Sequence, residues 1–123
     1  MLKISSFILA LIILSACTAG PPAPAELDDF AKCLSEKGAK MYSSYVCSHC
    51  KSQKELFGSS FYYVNEIECH PQGPNSQTNL CRQKNVSGTP TWILEPNGIE
   101  EKRLAGKQSL ESLSAFSGCE LNN

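Results

Sequence analysis

The residues best suited to chemistry are two cysteines, Cys47 and Cys50, in the stretch CSHC. In mid-helix their Cβ atoms would lie about 5–6 Å apart, whereas a disulfide needs about 3.5–4.5 Å. The pair fits better when Cys47 occupies the N-cap of a helix, where the backbone is not yet helical. The free N–H groups and the helix dipole at that end would favour its thiolate. We therefore predict a redox pair in which Cys47 is the exposed nucleophile and Cys50 the resolving thiol.

The histidine between the two sulfurs, His49, strengthens this prediction. Its imidazolium would stabilise a neighbouring thiolate and so favour the reduced form of the pair. A pair whose reduced form is favoured has a more oxidising disulfide. We therefore expect His49 to tune the redox potential of the pair.

The N-terminal segment has the features of an export signal. In residues 1–16, Lys3 precedes a continuous apolar run from Phe7 to Leu14, which is too short to span a bilayer. The sequence Leu14-Ser15-Ala16-Cys17 resembles the lipobox of bacterial lipoproteins, in which the cysteine carries lipid. We expect residues 17–25, which are rich in proline, to tether a domain of residues 26–121 to the bacterial cell envelope. Thr18 would favour the periplasmic face of the outer membrane in a Gram-negative source.

The chain has seven cysteines, an odd number for an exported protein. Lipidation of Cys17 would remove that oddity and leave six, which permit fifteen complete pairings in a compartment that allows disulfides. Cys47 and Cys50 form the natural local pair. The other four can then be joined in three ways; they are Cys33, Cys69, Cys81 and Cys119.

The same cysteine pair has other interpretations. A zinc site could combine it with Cys69 and His70, but a second paired motif is missing. Haem attachment normally needs a histidine directly after the pair, where this chain has Lys51. The main alternative is a structural disulfide in a small binding or accessory lipoprotein without redox turnover. We predict no metal and no other cofactor.

Composition bounds the remaining possibilities. The 123 residues are 41% hydrophobic and 19% charged, with a formal net charge of −1, which is ordinary for one globular domain. There is no basic run of the kind that binds nucleic acid. We therefore expect a monomer that does not bind nucleic acid.

The pattern of apolar residues, caps and turns predicts the element order α-β-α-β-α-β-β-α. Strands joined by crossover helices, followed by a closing hairpin, indicate an α/β fold with a mixed central sheet flanked by helices. The predicted helices are 26–37, 48–57, 76–84 and 109–118, and the predicted strands are 39–43, 61–67, 86–94 and 99–104.

Over residues 27–117 the chain resembles thioredoxin-fold thiol–disulfide oxidoreductases, and most closely the thioredoxin-like domain of bacterial vitamin K epoxide reductase homologues. The resemblance rests on the stretches FAKCLSEKGAKMY, CSHC followed by KSQKELFG, ECHPQGPNSQTNLC and GTPTW. It implies that Pro90 is a cis-proline opposite the redox pair and that Thr89 docks the substrate chain. It also implies a structural Cys69–Cys81 disulfide, which leaves Cys33 and Cys119 as a further pair.

Several features depart from these relatives. Val46 replaces a common aromatic residue, Ser48 a common proline, and Met41 a buried acid that handles protons in thioredoxin. Proton transfer is thereby left to His49 or water. The membrane domain is also missing, so that any quinone-linked redox partner would be a separate membrane protein. The resemblance implies thiol–disulfide exchange with cysteine-containing exported proteins, in a direction that the sequence leaves open.

Overall fold

The computed structural model describes residues 25–122. The predicted signal segment, Cys17 and all of the tether except residue 25 lie outside this range. The first helix, α1 (Ala25–Glu36), begins one residue before its predicted start and is followed by β1 (Ala39–Ser43). Gly38 between them has φ of 86°, and an added Cβ there would lie 2.7 Å from the Pro96 nitrogen. Glycine is therefore required at this turn.

The other elements, in chain order, are α2 (Ser48–Phe57), a 3-10 helix (Gly58–Tyr63), β2 (Asn65–Glu68), α3 (Thr78–Gln83), β3 (Thr91–Leu94), a 3-10 turn (Pro96–Gly98), β4 (Lys102–Ala105) and α4 (Leu110–Ser117). The strand order is β2-β1-β3-β4. The β1 and β2 strands are parallel, and the other two pairs are antiparallel. The predicted order of helices and strands and the mixed sheet are confirmed.

The alternating side chains of β1 and β3 divide the core between the two faces of the sheet. Met41 and Trp92 pack with buried residues of α1, α2 and α4. Tyr42 and Ile93 pack instead with Cys81 of α3. The sheet is thus covered by three helices on one face and one on the other. Among residues 25–122, no helix is both long and apolar enough to cross a membrane.

The strand predictions were wrong at several boundaries. The residues 61–63 belong to a 3-10 helix, and β2 starts only at Asn65. Residues 86–90 are not strand, and β3 is limited to the four residues that pair with β1 and β4. The fourth strand starts at Lys102 because the chain first makes a 3-10 turn over 96–98. Aromatic and β-branched composition indicates a strand but does not supply a ladder partner.

The helix predictions agree better because caps are local. Gly58 follows the last residue of α2, and Ser109 caps α4 by accepting a hydrogen bond from the Ser112 N–H. The exception is α3, which was predicted over 76–84 but covers only Thr78–Gln83. Its N-cap is Gln77, and no side chain caps it.

Candidate redox site

The two cysteines of the CSHC stretch meet at the start of α2. Cys47 is the N-cap, with extended backbone angles (φ −87°, ψ 118°), and its sulfur accepts a hydrogen bond from the Cys50 N–H at 3.1 Å. Cys47 is partly exposed, whereas Cys50 is buried beneath it, and both are free thiols. The local geometry is thus the N-cap arrangement predicted from the spacing.

The loop before β3 faces this pair. The Thr89–Pro90 peptide bond is cis, as the resemblance implies, and Pro90 is buried. The Cys47 thiol donates a hydrogen bond to the Thr89 carbonyl at 3.3 Å. The structure therefore brings Cys47, Cys50, Thr89 and Pro90 together.

The surroundings shift the two thiols in opposite directions. Partial burial raises the pKa of Cys47, but hydrogen bonds to its sulfur from the side chains of Cys50 and Thr89 and from the backbone outweigh it, so that the pKa lies below its ordinary value. Burial raises the pKa of Cys50 to about 11, and its hydrogen bond with Cys47 contributes to the same rise. Cys47 is therefore the thiol that becomes a nucleophilic thiolate first.

His49 is exposed, and the part of it that lowers the Cys47 pKa is its backbone N–H. The predicted contribution of its imidazolium charge is not among the leading causes of the shift. The largest lowering contribution is the hydrogen bond from the Cys50 side chain, and the backbone N–H groups at the start of the helix add to it; the role of the His49 ring stays a prediction.

The four remaining cysteines of residues 25–122 form two disulfides, Cys33–Cys119 and Cys69–Cys81. These are the pairs that the resemblance implies. Cys69 is consequently not available as a zinc thiolate beside Cys47 and Cys50, and within the described residues no group of three potential ligands could hold a metal ion. His70, the other suggested ligand, packs edge-on against Tyr45 instead.

A buried amide, Gln53, holds the site together and was not singled out from the sequence. Its Oε1 accepts hydrogen bonds from Trp92 Nε1 at 3.1 Å and from the Gln108 N–H at 2.7 Å. Its Nε2 donates to the Gln108 carbonyl at 3.0 Å. Gln53 thereby joins α2 to β3 and to the loop before α4, which fixes the helix that carries the cysteines against the strand that follows Pro90. Its position three residues after Cys50 places it on the same side of α2 as the pair but does not indicate its distant partners.

A mixed sheet, a cysteine pair at a helix start and an opposing cis-proline together define a thioredoxin-like site. Solved thioredoxins share this fold. A single-residue mutant of a thioredoxin from Halobacterium salinarum has a TM-score of 0.54 at 18% identity, covering 81% of this chain and 88% of that one. Mitochondrial thioredoxin 3 from Saccharomyces cerevisiae has a TM-score of 0.51 at 12% identity, covering 65% and 74%.

Two plant proteins are similar in sequence. Thiol-disulfide oxidoreductase LTO1 of Arabidopsis thaliana is 38% identical over 96 residues, which are 75% of this chain and 24% of that protein. Protein disulfide-isomerase 5-1 of the same plant is 27% identical over 95 residues, 72% of this chain and 65% of that protein. This chain therefore spans about a quarter of the first relative and 65% of the second. No family model matches it. The fold is therefore thioredoxin-like, and the chain is similar in sequence to part of a protein named as a thiol-disulfide oxidoreductase and to one named as a protein disulfide-isomerase.

Proposed function

We propose that this protein exchanges disulfides with cysteine-containing exported proteins through Cys47 and Cys50. The observation that carries the proposal is the position of Cys47. Its sulfur is partly exposed at the N-cap of α2 and hydrogen-bonded to the carbonyl before the cis-proline, and Cys50 is buried directly behind it. The environment lowers the pKa of the first thiol and raises that of the second, as a nucleophile and a resolving thiol require.

In the reducing direction, the Cys47 thiolate attacks one sulfur of a substrate disulfide. A bond forms between the two sulfurs, and the other substrate sulfur leaves as a thiolate that takes a proton from water. Cys50 then loses its proton and attacks the Cys47 sulfur, which closes the 47–50 disulfide and releases the second substrate thiolate. The substrate gains the electron pair that the dithiol loses. Oxidation of a substrate follows the same steps in reverse.

The Thr89 carbonyl gives the substrate a place to dock. In the dithiol this carbonyl accepts a hydrogen bond from the Cys47 thiol. That donor disappears when Cys47 becomes a thiolate or forms a mixed disulfide. The carbonyl is then free to accept a hydrogen bond from a backbone N–H of the substrate, while buried Pro90 shapes the groove beside it.

The competing proposal is a disulfide-stapled binding or accessory lipoprotein. The geometry of the site argues against it, because Cys47 lies partly exposed at the N-cap of α2 and faces the loop that contains the cis-proline. A structural staple would have little use for a partly exposed sulfur with a lowered pKa.

The location proposed for this reaction is the bacterial envelope. The support is the sequence of residues 1–25, namely a signal segment, the lipobox ending at Cys17 and the proline-rich tether. A lipid anchor would hold the domain at a membrane surface, and the resemblance to domains of vitamin K epoxide reductase homologues supports a quinone-linked partner that is a separate membrane protein. Labelling of cells with radioactive palmitate tests the anchor. Label should enter the wild-type protein and not Cys17→Ala, and an unlabelled wild type would exclude lipidation.

Replacing Cys50 by Ser should trap substrates, because the mixed disulfide on Cys47 can then no longer be resolved. Incubation of the variant with insulin should give a covalent adduct that is stable on a non-reducing gel and maps to Cys47. The matched control is the double variant Cys47→Ser/Cys50→Ser, which should give no adduct. If Cys50→Ser forms no adduct and the wild type neither reduces insulin nor reoxidises reduced RNase, the enzymatic proposal is wrong.

A further inference from the structure

The proposed reaction requires Cys50, a buried thiol, to lose its proton, and some group must stabilise the resulting thiolate. In either direction of exchange this buried sulfur must pass through a thiolate, although burial disfavours that charge. The core position that would carry a buried acid holds Met41, which is fully buried and apolar. Met41 therefore cannot stabilise the Cys50 thiolate, and a stabilising group would have to come from another side chain around the site.

A cavity of about 180 Å³ reaches Cys50 beside α2. Its walls include both redox cysteines, and its charged or titratable members besides them are Tyr45, Lys51 and Lys54. Lys54 lies four residues after Cys50, so that the two share one face of α2. Lys51 follows Cys50 directly, which places it on a neighbouring face of the helix, and it is exposed. Exposed His49 precedes Cys50 on the same helix.

The Lys54 side chain is held by contacts with residues that do not line this cavity. Its ammonium forms an ion pair with Glu66 Oε1 of β2, and the same oxygen accepts a hydrogen bond from Ser43 Oγ at 2.5 Å. The ammonium also lies 5.3 Å from the centre of the Phe61 ring. Lys54 further lines an adjoining cavity of about 260 Å³ that contains Glu66 and Glu68. Lys54 is thus held directly by groups on two elements, β2 and the 3-10 helix, and Ser43 of β1 holds its partner Glu66.

We propose that Lys54 is the cation that stabilises the thiolate of Cys50 during exchange, and that Glu66 is a positioning residue that holds Lys54 at the cavity. A fixed ammonium near a sulfur lowers the cost of its negative charge, and the cavity gives water a route to the departing or returning proton. The inference rests on the proposed function, since it concerns the second thiol of the same reaction. It applies to oxidation and reduction alike, because Cys50 is attacking thiolate in one and leaving group in the other.

The test follows the reactions of Cys47 and Cys50 as two successive kinetic phases. A neutral dipyridyl disulfide releases one pyridinethione when Cys47 attacks it and a second when Cys50 resolves the adduct, and stopped-flow absorbance follows both. Lys54→Met should leave the first phase within about twofold and slow the second about tenfold at neutral pH, because a loss of about one pKa unit of thiolate stabilisation corresponds to that factor. The pH midpoint of the second phase should rise accordingly.

Three further variants keep the proposal open to contradiction. Lys54→Arg retains the charge and should restore the second phase to within about threefold of wild type. Lys51→Met removes the neighbouring cation and should slow the second phase less than about twofold, since its side chain is exposed to solvent. An equal effect of Lys51→Met, or an unchanged second phase in Lys54→Met, would overturn the assignment. So would a defect in Glu66→Gln as large as that of Lys54→Met with no rescue by arginine, because the carboxylate would then carry the proton.

The readout also distinguishes this proposal from the proposed function. Absence of both phases in the wild type would mean that Cys47 does not exchange disulfides at all. A normal first phase in every variant, with a second phase indifferent to Lys54, would leave the function intact and reject only the role of Lys54.

Discussion

Replacing Cys47 by Ser is expected to slow disulfide exchange at neutral pH by a factor of about ten thousand or more. The only other free thiol within residues 25–122 is Cys50. In the wild type its pKa is raised to about 11, chiefly by burial, and because that burial persists in the variant the Cys50 thiolate remains scarce near pH 7. The remaining sulfur is also screened from a protein substrate by its burial.

The measurement is the initial rate of insulin reduction, with Ser48→Ala as the control. Ser48 lies between the two cysteines, but its side chain is exposed, so this variant should stay within about threefold of wild type. A Cys47→Ser protein that retained more than about a hundredth of the rate would show that Cys50 or another group can start the reaction.

The pH dependence of the wild-type rate follows from the same shifts. The pKa of Cys47 lies below that of an ordinary cysteine, so the thiolate fraction rises at a lower pH than in an unstructured cysteine peptide. The rate should therefore level off at a lower pH in the protein than in the peptide. A lowered thiol pKa also stabilises the reduced pair and makes its disulfide more oxidising.

The second large effect concerns the stability of the fold. Replacing Cys33 and Cys119 together by Ala should lower the free energy of unfolding by about 4–5 kcal/mol, the value expected when a long loop is no longer closed in the unfolded chain. The residues are 86 positions apart. The Cys69–Cys81 bond spans 12 positions, and its removal should cost about 3 kcal/mol or less.

Urea unfolding of both double variants checks this ranking. The experiment is best done with Cys47→Ser/Cys50→Ser as the background, so that the redox pair cannot exchange with the structural bonds. A smaller loss for the 33–119 variant than for the 69–81 variant would contradict the loop-closure account, and would mean that strain or residual structure in the unfolded chain decides the outcome. Mild reductant applied to the oxidised wild type should open only the 47–50 bond.

The ends of the helices were predictable because they depend on neighbours in the sequence. Cys47, Ser109 and Gly118 cap their helices as the local pattern indicates. The strand ends were not, because a strand ends where its partners end. Residues 61–63 have strong strand composition but form a 3-10 helix, and a sequence taken alone contains no information about a missing ladder partner.

The residues of the candidate site also fall into those that could be predicted from the sequence and those that could not. The two cysteines and the loop at Pro90 could be placed from spacing and resemblance, since each is a short motif. Gln53 and Lys54 could not, because their importance depends on partners far along the chain, Gln108 and Trp92 for one and Glu66 for the other. Nothing local to α2 indicates that these partners will lie within hydrogen-bonding distance.

The choice of an amide at Gln53 has a consequence for the conditions in which the protein can work. Gln53 joins the cysteine-bearing helix to β3 through bonds that no proton can make or break in the ordinary pH range. A carboxylate or histidine in its place would change charge in acid and disturb the distance between Cys47 and Thr89. The neutral side chain of Gln53 keeps α2 attached to β3 while Cys47 itself titrates. A change of pH can therefore alter the fraction of Cys47 that is thiolate while the Gln53 hydrogen bonds that hold its helix stay intact.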